Sequence, residues 1–133
     1  MTKPAEPLRK KPRQQRSQMM VESIVDAGFI SLIKHGLVGT TTRHIAEIAG
    51  ISVGSLYQYF PDKEAIYVAM HQHNIDEVIV FLRAVTPDLV QSELRSGVTL
   101  LLQRFKAWLE QGDGRYLFYV RYAMHVDIDG AEV

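Results

Sequence analysis

Residues 40–66 read TTTRHIAEIAGISVGSLYQYFPDKEAI, and this stretch decides the fold. Ile45, Ala46 and Ala49 share one face of a helix, and the two alanines are small enough for a second helix to pack closely against them. Gly50 follows at the point where the chain must turn, in a left-handed conformation that would cost any other residue more. The stretch therefore opens with a short helix that ends in a tight turn.

Two hydroxyl side chains mark where short helices begin. Thr41 is the predicted N-cap of a helix over about residues 43–49, and Ser52 is the predicted N-cap of a helix over about residues 53–59. Both side chains can accept a hydrogen bond from a backbone N–H in the first turn, which has no partner inside the helix. The turn at Gly50 therefore lies between two capped helices.

The second short helix has one apolar side, formed by Leu56 and Phe60 four residues apart. Its remaining side is left for a different surface. The major groove of DNA is about 12 Å wide and admits one such helix, with its N-terminal residues toward the base edges. We therefore interpret residues 17–63 as a helix-turn-helix DNA-binding domain.

Helical patterns flank this stretch on both sides. A first helix is predicted from Ser17 to a stop near Gly36. A long helix should begin at Lys63, with Asp62 as its cap, and continue to Ala84, because Pro87 disfavours further helix.

Two more helices are predicted, over about residues 92–110 and 115–126, with residues 112–114 interrupting them and residues 127–133 forming a loop. No strand pattern is present. The predicted fold is all-α, with a three-helix DNA-binding domain followed by a partial helical ligand-binding and dimerisation domain. The second domain, residues 64–133, is expected to be incomplete.

Charge is unevenly distributed although the net charge is zero. Residues 1–63 hold nine Lys or Arg against five Asp or Glu, a net of +4, and residues 64–133 hold six against ten, a net of −4. A basic first half suits contact with phosphate, and a solubilising basic tail explains the charge equally well. Residues 1–16 are proline-containing and without apolar periodicity, and are predicted to be a disordered basic arm.

Several classes of function are disfavoured. The absence of cysteine excludes disulfides and thiolate chemistry. No apolar run approaches the roughly 20 residues of a membrane span, and no signal-peptide pattern is present, so a cytoplasmic protein is expected. His71 and His73 point to different faces of a helix, which makes them ordinary helix residues rather than metal ligands. No catalytic motif is present, so we predict no enzyme activity, cofactor or metal.

The ordered residues of 40–66 resemble the signature of the TetR/AcrR family of repressors, and the similarity extends back to about Ser17. The resemblance implies a DNA-binding surface. Thr42, Arg43, Tyr57, Tyr59 and Lys63 would contact phosphates, Ser55 would approach bases or phosphate, and Val53 and Gln58 would read bases beside Gly54.

Three residues depart from the family pattern: His44, Gly28, and Leu32, which stands where phenylalanine is common. His44 stands where an acidic residue is usual, which should weaken the start of its helix slightly. Gly28 stands where alanine is common, which indicates tighter local packing of the first helix.

The resemblance also implies partners. These are a palindromic double-stranded DNA operator, a second copy of the chain in a homodimer, and a small-molecule effector that releases a repressor from its operator. An alternative is a DNA-binding or nucleoid-associated factor without an effector, and a further one is a truncated product unable to dimerise. Aromatic residues of the last two helices could line an effector pocket or simply form a core: Phe105, Trp108, Tyr116, Phe118, Tyr119 and Tyr122.

Overall fold

The computed structural model describes residues 5–111, 114–118 and 120, and the side chains from residue 13 onward within these ranges. Five helices follow one another and no strand occurs in these ranges, so the predicted all-α fold is confirmed. They are α1 (Ala5–Gly39), α2 (Thr42–Ala49), α3 (Val53–Tyr57), α4 (Lys63–Val90) and α5 (Leu94–Leu109). The chain divides after Met70 into two compact units, and α4 contributes residues to both.

The first helix is longer than the sequence suggested. It begins at Ala5, so residues 5–16 are helical where a disordered arm was expected. Arg and Gln, which make up residues 13–16, have high helix propensity, and their helix continues directly into the apolar repeat that starts at Ile24. Residues 1–4 of the predicted arm lie outside the described residues.

A break inside α1 separates its last turn from the rest. Gly36 has φ 73° and ψ 177°, a conformation that is essentially restricted to glycine. The Gly36 carbonyl accepts hydrogen bonds from the Thr40 N–H, at 3.1 Å, and from the Thr40 hydroxyl, at 2.7 Å. The predicted stop at Gly36 is therefore a bend, after which residues 37–39 form a short helical connection to α2.

The core of the first unit is built from apolar faces of α1, α2, α3 and the start of α4. At Gly28 the packing is close, since a Cβ there would lie 2.7 Å from the Met70 sulfur and 3.4 Å from the Ile66 Cγ2. This agrees with the tight packing expected at Gly28. The buried side chains include Ile24, Phe29, Leu32, Ile45, Ala46, Leu56, Phe60, Ile66 and Met70.

The helix α4 is longer than the sequence predicted. The helix continues through Pro87 to Val90 instead of ending near Ala84. Close to the proline, the Thr86 hydroxyl donates to the Leu82 carbonyl at 2.5 Å, and Arg104 of α5 pairs with Asp88 at 2.7 Å. The proline therefore does not end the helix, although it removes one backbone N–H donor.

Aromatic rings of the second unit pack on one another. Trp108 lies between three rings, with centroid distances of 5.7 Å to Phe81, 5.9 Å to Phe105 and 4.8 Å to Tyr116. Trp108 is buried, which favours the core interpretation for this residue over a pocket lining, whereas Phe105 and Phe118 are exposed. The sixth predicted helix is described only at residues 115–118 and 120, which are helical, and Tyr119 and Tyr122 lie outside the described residues.

Candidate nucleic-acid interface

The turn between α2 and α3 has the predicted caps. Thr41 accepts a hydrogen bond from the His44 N–H at 3.1 Å, and Ser52 accepts one from the Ser55 N–H at 3.0 Å. Gly50 has φ 75° and ψ 29°, and its N–H and that of Ile51 bond to carbonyls of the last turn of α2. Two short helices are thus joined rigidly through a left-handed glycine, as a helix-turn-helix requires.

A hydroxyl pair links the two helices at the protein surface. The Thr42 Oγ1, in the first turn of α2, lies 3.2 Å from the Tyr57 hydroxyl, at the end of α3. Tyr57 is 48% exposed, and either oxygen can be the donor. Since the pair has two O–H groups and uses one internally, it keeps at least one hydrogen for an external acceptor such as a phosphate oxygen.

The first turn of α3 presents a second polar group. Ser52 donates its hydroxyl hydrogen to the Ser55 Oγ at 2.9 Å, so the hydrogen of Ser55 itself is available to another acceptor. A Cβ added at Gly54 would meet only the Ser52 Oγ, at 3.9 Å, within 4 Å. The backbone at Gly54 is therefore exposed and can be approached closely.

The remaining predicted contacts lie at the two ends of the motif. Arg43, Gln58 and Tyr59 are exposed, and Val53 is half-buried. The helix α3 ends at Tyr57, two residues before its predicted end, and Gln58 is its C-cap with right-handed helical angles. Gln58 therefore extends from the last turn of α3 rather than from its middle.

Lys63 has a role inside the protein that the sequence did not reveal. Its ammonium group donates a hydrogen bond to the Thr40 carbonyl at 3.2 Å and lies 5.8 Å from the ring centroid of Tyr67. An ammonium group has three N–H donors, so the contact with Thr40 leaves two for phosphate. The Lys63 ammonium group can thus hold the start of α2 and contact a phosphate at the same time.

All nine predicted DNA-binding residues are at least partly exposed, and the structure pairs two of them directly, Thr42 and Tyr57. The sequence did not predict a role for Tyr67, and it did not predict the contacts of His44. The His44 Nδ1 lies 3.0 Å from the Gly39 carbonyl, and the His44 ring stacks on that of His35. For Tyr67, its position four residues after Lys63 on one helix face was the available signal.

Other kinds of site are not evident in the part of the chain that the structure describes. No group of three or more acidic or histidine side chains there could hold a metal ion. None of the described helices combines the length and apolar character needed to cross a membrane.

An open groove of about 330 Å³ is lined by Ile79, Leu82, Arg83, Thr86 and Pro87 of α4.

Comparison with known proteins places the helix-turn-helix in a family. Residues 24–70 match the N-terminal domain of the family described as bacterial regulatory proteins, tetR family. This range contains α2, α3 and the surface residues from Thr42 to Lys63. No solved structure matches the chain.

Curated relatives match over about half of the chain. The HTH-type transcriptional regulator RutR of Escherichia coli is 36% identical over 67 residues, which are 50% of this chain and 32% of that protein. The nucleoid occlusion factor SlmA of Haemophilus ducreyi is 33% identical over 70 residues, which are 53% of this chain and 33% of that protein. The matched part spans about a third of the length of these relatives. At residues 24–70 the chain therefore carries the N-terminal helix-turn-helix domain of the tetR family of bacterial regulatory proteins.

Proposed function

We propose that the protein is a sequence-specific, double-stranded-DNA-binding transcriptional regulator, without enzymatic activity, that acts in the cytoplasm as a repressor. The observation that carries the proposal is the hydroxyl pair of Thr42 and Tyr57, which joins α2 to α3 at an exposed surface. Hydroxyls held in this way can bind two helices to one stretch of DNA backbone. Arg43, Tyr59 and Lys63 add donors at either end of that surface.

Base reading is assigned to the exposed side of α3. Gln58 can donate and accept with adenine through its amide, and Val53 can contact a thymine methyl group. Gly54 leaves room for close approach of the backbone, and Ser55 offers the hydroxyl hydrogen described above. Since α3 is short, three or four base pairs for each helix are the expected extent of direct reading.

The phosphate contacts predict distinct salt dependences. Lys63→Ala should weaken binding to operator and random duplex alike and lower the slope of log affinity against log salt by about 0.9, since one fewer counterion is released. Tyr57→Phe should weaken binding to operator and to random duplex by similar factors, and it should leave the salt slope unchanged because no charge is lost. Fluorescence anisotropy at four or more salt concentrations measures both quantities.

Lys106→Ala is the matched control for this experiment. Lys106 is a solvent-exposed lysine of α5, 3.9 Å from Glu110, and has no assigned part in DNA binding. Its replacement should leave affinity and slope unchanged. An unaltered slope and affinity in Lys63→Ala would remove that lysine from the phosphate contacts, and absence of binding by the parent chain to any duplex would refute the proposed function.

We further propose that a small-molecule effector binds the second unit. The buried Asn74 Oδ1 has no hydrogen-bond partner among the described residues, and a buried acceptor left in this way is costly unless a ligand or water supplies a donor. The open groove on α4 offers apolar surface and one arginine. An effector that bound the DNA-free state more tightly would lower operator affinity.

A factor without an effector is the second candidate, and the similarity to a protein named nucleoid occlusion factor favours considering it. The two candidates differ in their response to ligands. A small-molecule library screened by thermal shift, with Asn74→Leu as a comparison, separates them. Hits that stabilise the parent and release DNA support the repressor with an effector, and a complete lack of hits supports the second candidate.

The proposed operator is palindromic and is read by a homodimer. Two recognition helices must enter major grooves about 34–36 Å apart, and one short helix gives too small a contact for tight specific binding. Exposed apolar residues of α4 and α5 in the second unit, among them Ile79, Val80, Val98 and Leu102, offer surface for association.

Because these residues form an open apolar surface, we expect weak self-association without defined stoichiometry, and poor operator affinity as a result. Sedimentation equilibrium at micromolar concentration measures the association. A tight dimer of the 133-residue chain on one palindromic site would contradict this expectation.

A further inference from the structure

Side-chain hydrogen bonds hold the connection between α1 and α2. Val38 is 89% exposed and Gly39 is exposed, and of residues 37–39 only Leu37 is half-buried. Their carbonyls accept hydrogen bonds from distant side chains. Tyr67 of α4 donates to the Leu37 carbonyl at 3.4 Å, and the His44 ring of α2 lies 3.0 Å from the Gly39 carbonyl.

The next carbonyl along the chain is held in the same way. The Thr40 carbonyl accepts from the Lys63 ammonium group at 3.2 Å, and Lys63 in turn lies 5.8 Å from the centroid of the Tyr67 ring, within the range of a cation–π interaction. Tyr67 therefore acts at both ends of the connection. Its hydroxyl holds Leu37, and its ring faces the ammonium group that holds Thr40.

The connection continues directly into the start of α2, which carries the proposed DNA-binding residue Thr42. Thr40 is fully buried and its hydroxyl accepts a hydrogen bond from Ser31 at 3.2 Å, so this residue is anchored in the core. Thr41, directly after it, caps α2, and Thr42 is the partner of the Tyr57 hydroxyl. A shift of Thr40 would therefore displace the hydroxyl pair at the surface, and the Thr40 carbonyl is held by the same Lys63 that lies over the Tyr67 ring.

We propose that Tyr67 is a positioning residue of the DNA-binding surface, which fixes the connection of residues 37–40 and through it the placement of Thr42 against the DNA backbone. In this proposal Tyr67 acts through the connection and not through a contact of its own with DNA. The inference rests on the proposed DNA-binding function. It identifies a hydroxyl in the first two turns of α4 as a determinant of affinity, together with the lysine four residues before it.

The test uses Tyr67→Phe, which keeps the ring and removes only the hydroxyl, in the full 133-residue chain. We expect duplex affinity to fall by about threefold to tenfold, the range for one hydrogen bond, with an unchanged salt slope because no charge is lost. Tyr116→Phe, which removes a tyrosine hydroxyl in the second unit, is the matched control and should leave affinity unchanged. All variants are measured at a temperature at which circular dichroism shows each to be fully folded.

A double-mutant cycle with Thr42→Val distinguishes positioning from a general structural role. If Tyr67 acts through the placement of Thr42, its replacement should change affinity by less than about twofold once the Thr42 hydroxyl is gone, whereas independent effects would multiply. Multiplying losses in the double variant, or equal affinity of Tyr67→Phe and the parent, would overturn the proposal. A parent chain that bound no duplex would instead count against the proposed function.

Discussion

Replacement of Phe29 by alanine should lower the free energy of unfolding by about 3–5 kcal/mol, the largest effect that we expect from a single change. The Phe29 side chain is 1% exposed and lies on α1 in the core of the first unit. Its removal loses the transfer free energy of the ring and leaves a cavity, which neighbouring side chains fill only in part. Urea denaturation followed by circular dichroism measures the change.

Met19→Ala provides the comparison in the same helix. Met19 is 68% exposed, and surface substitutions of this kind usually change stability by no more than about 0.5 kcal/mol. Duplex binding by Phe29→Ala should fall with the folded fraction and recover on cooling or addition of an osmolyte. If both variants unfolded at the same urea concentration as the parent, the buried position of Phe29 would be wrong.

The parts of the fold that the sequence predicted well are those controlled by neighbours along the chain. The caps at Thr41, Ser52 and Asp62 each accept from the backbone N–H three residues later, a bond that depends only on residue type and spacing. The positive φ of Gly50 follows from the same local logic. Local chemistry therefore predicted the helix-turn-helix almost residue by residue.

The parts that the sequence did not predict depend on contacts between distant residues. Tyr67 and Leu37 are 30 positions apart, and Lys63 and Thr40 are 23 apart, so no periodicity connects them. The sequence also did not predict that α4 continues through Pro87, just before the ion pair of Asp88 with Arg104 on another helix. The family resemblance implied that Lys63 contacts a phosphate, and the sequence did not indicate that it also holds the start of α2.

The turn between α2 and α3 provides the second large effect. Gly50 has φ 75° and ψ 29°, the left-handed region in which a β-branched residue is strained. No atom lies within 4 Å of a Cβ built there, so the cost of a side chain is conformational rather than steric crowding by neighbours. Gly50→Val should therefore lower the free energy of unfolding by about 1–3 kcal/mol, measured by urea denaturation.

Gly54→Ala is the control that separates backbone strain from the general effect of losing a glycine. Gly54 lies inside α3 with open space around its Cβ position, so alanine there should raise stability by about 0.5–1 kcal/mol through its higher helix propensity. The two substitutions should thus shift the urea midpoint in opposite directions. Since the αL turn sets the angle between α2 and α3, Gly50→Val should also weaken duplex binding under conditions in which it remains folded. An unchanged midpoint for Gly50→Val would show that the sharp turn of the helix-turn-helix does not depend on this glycine.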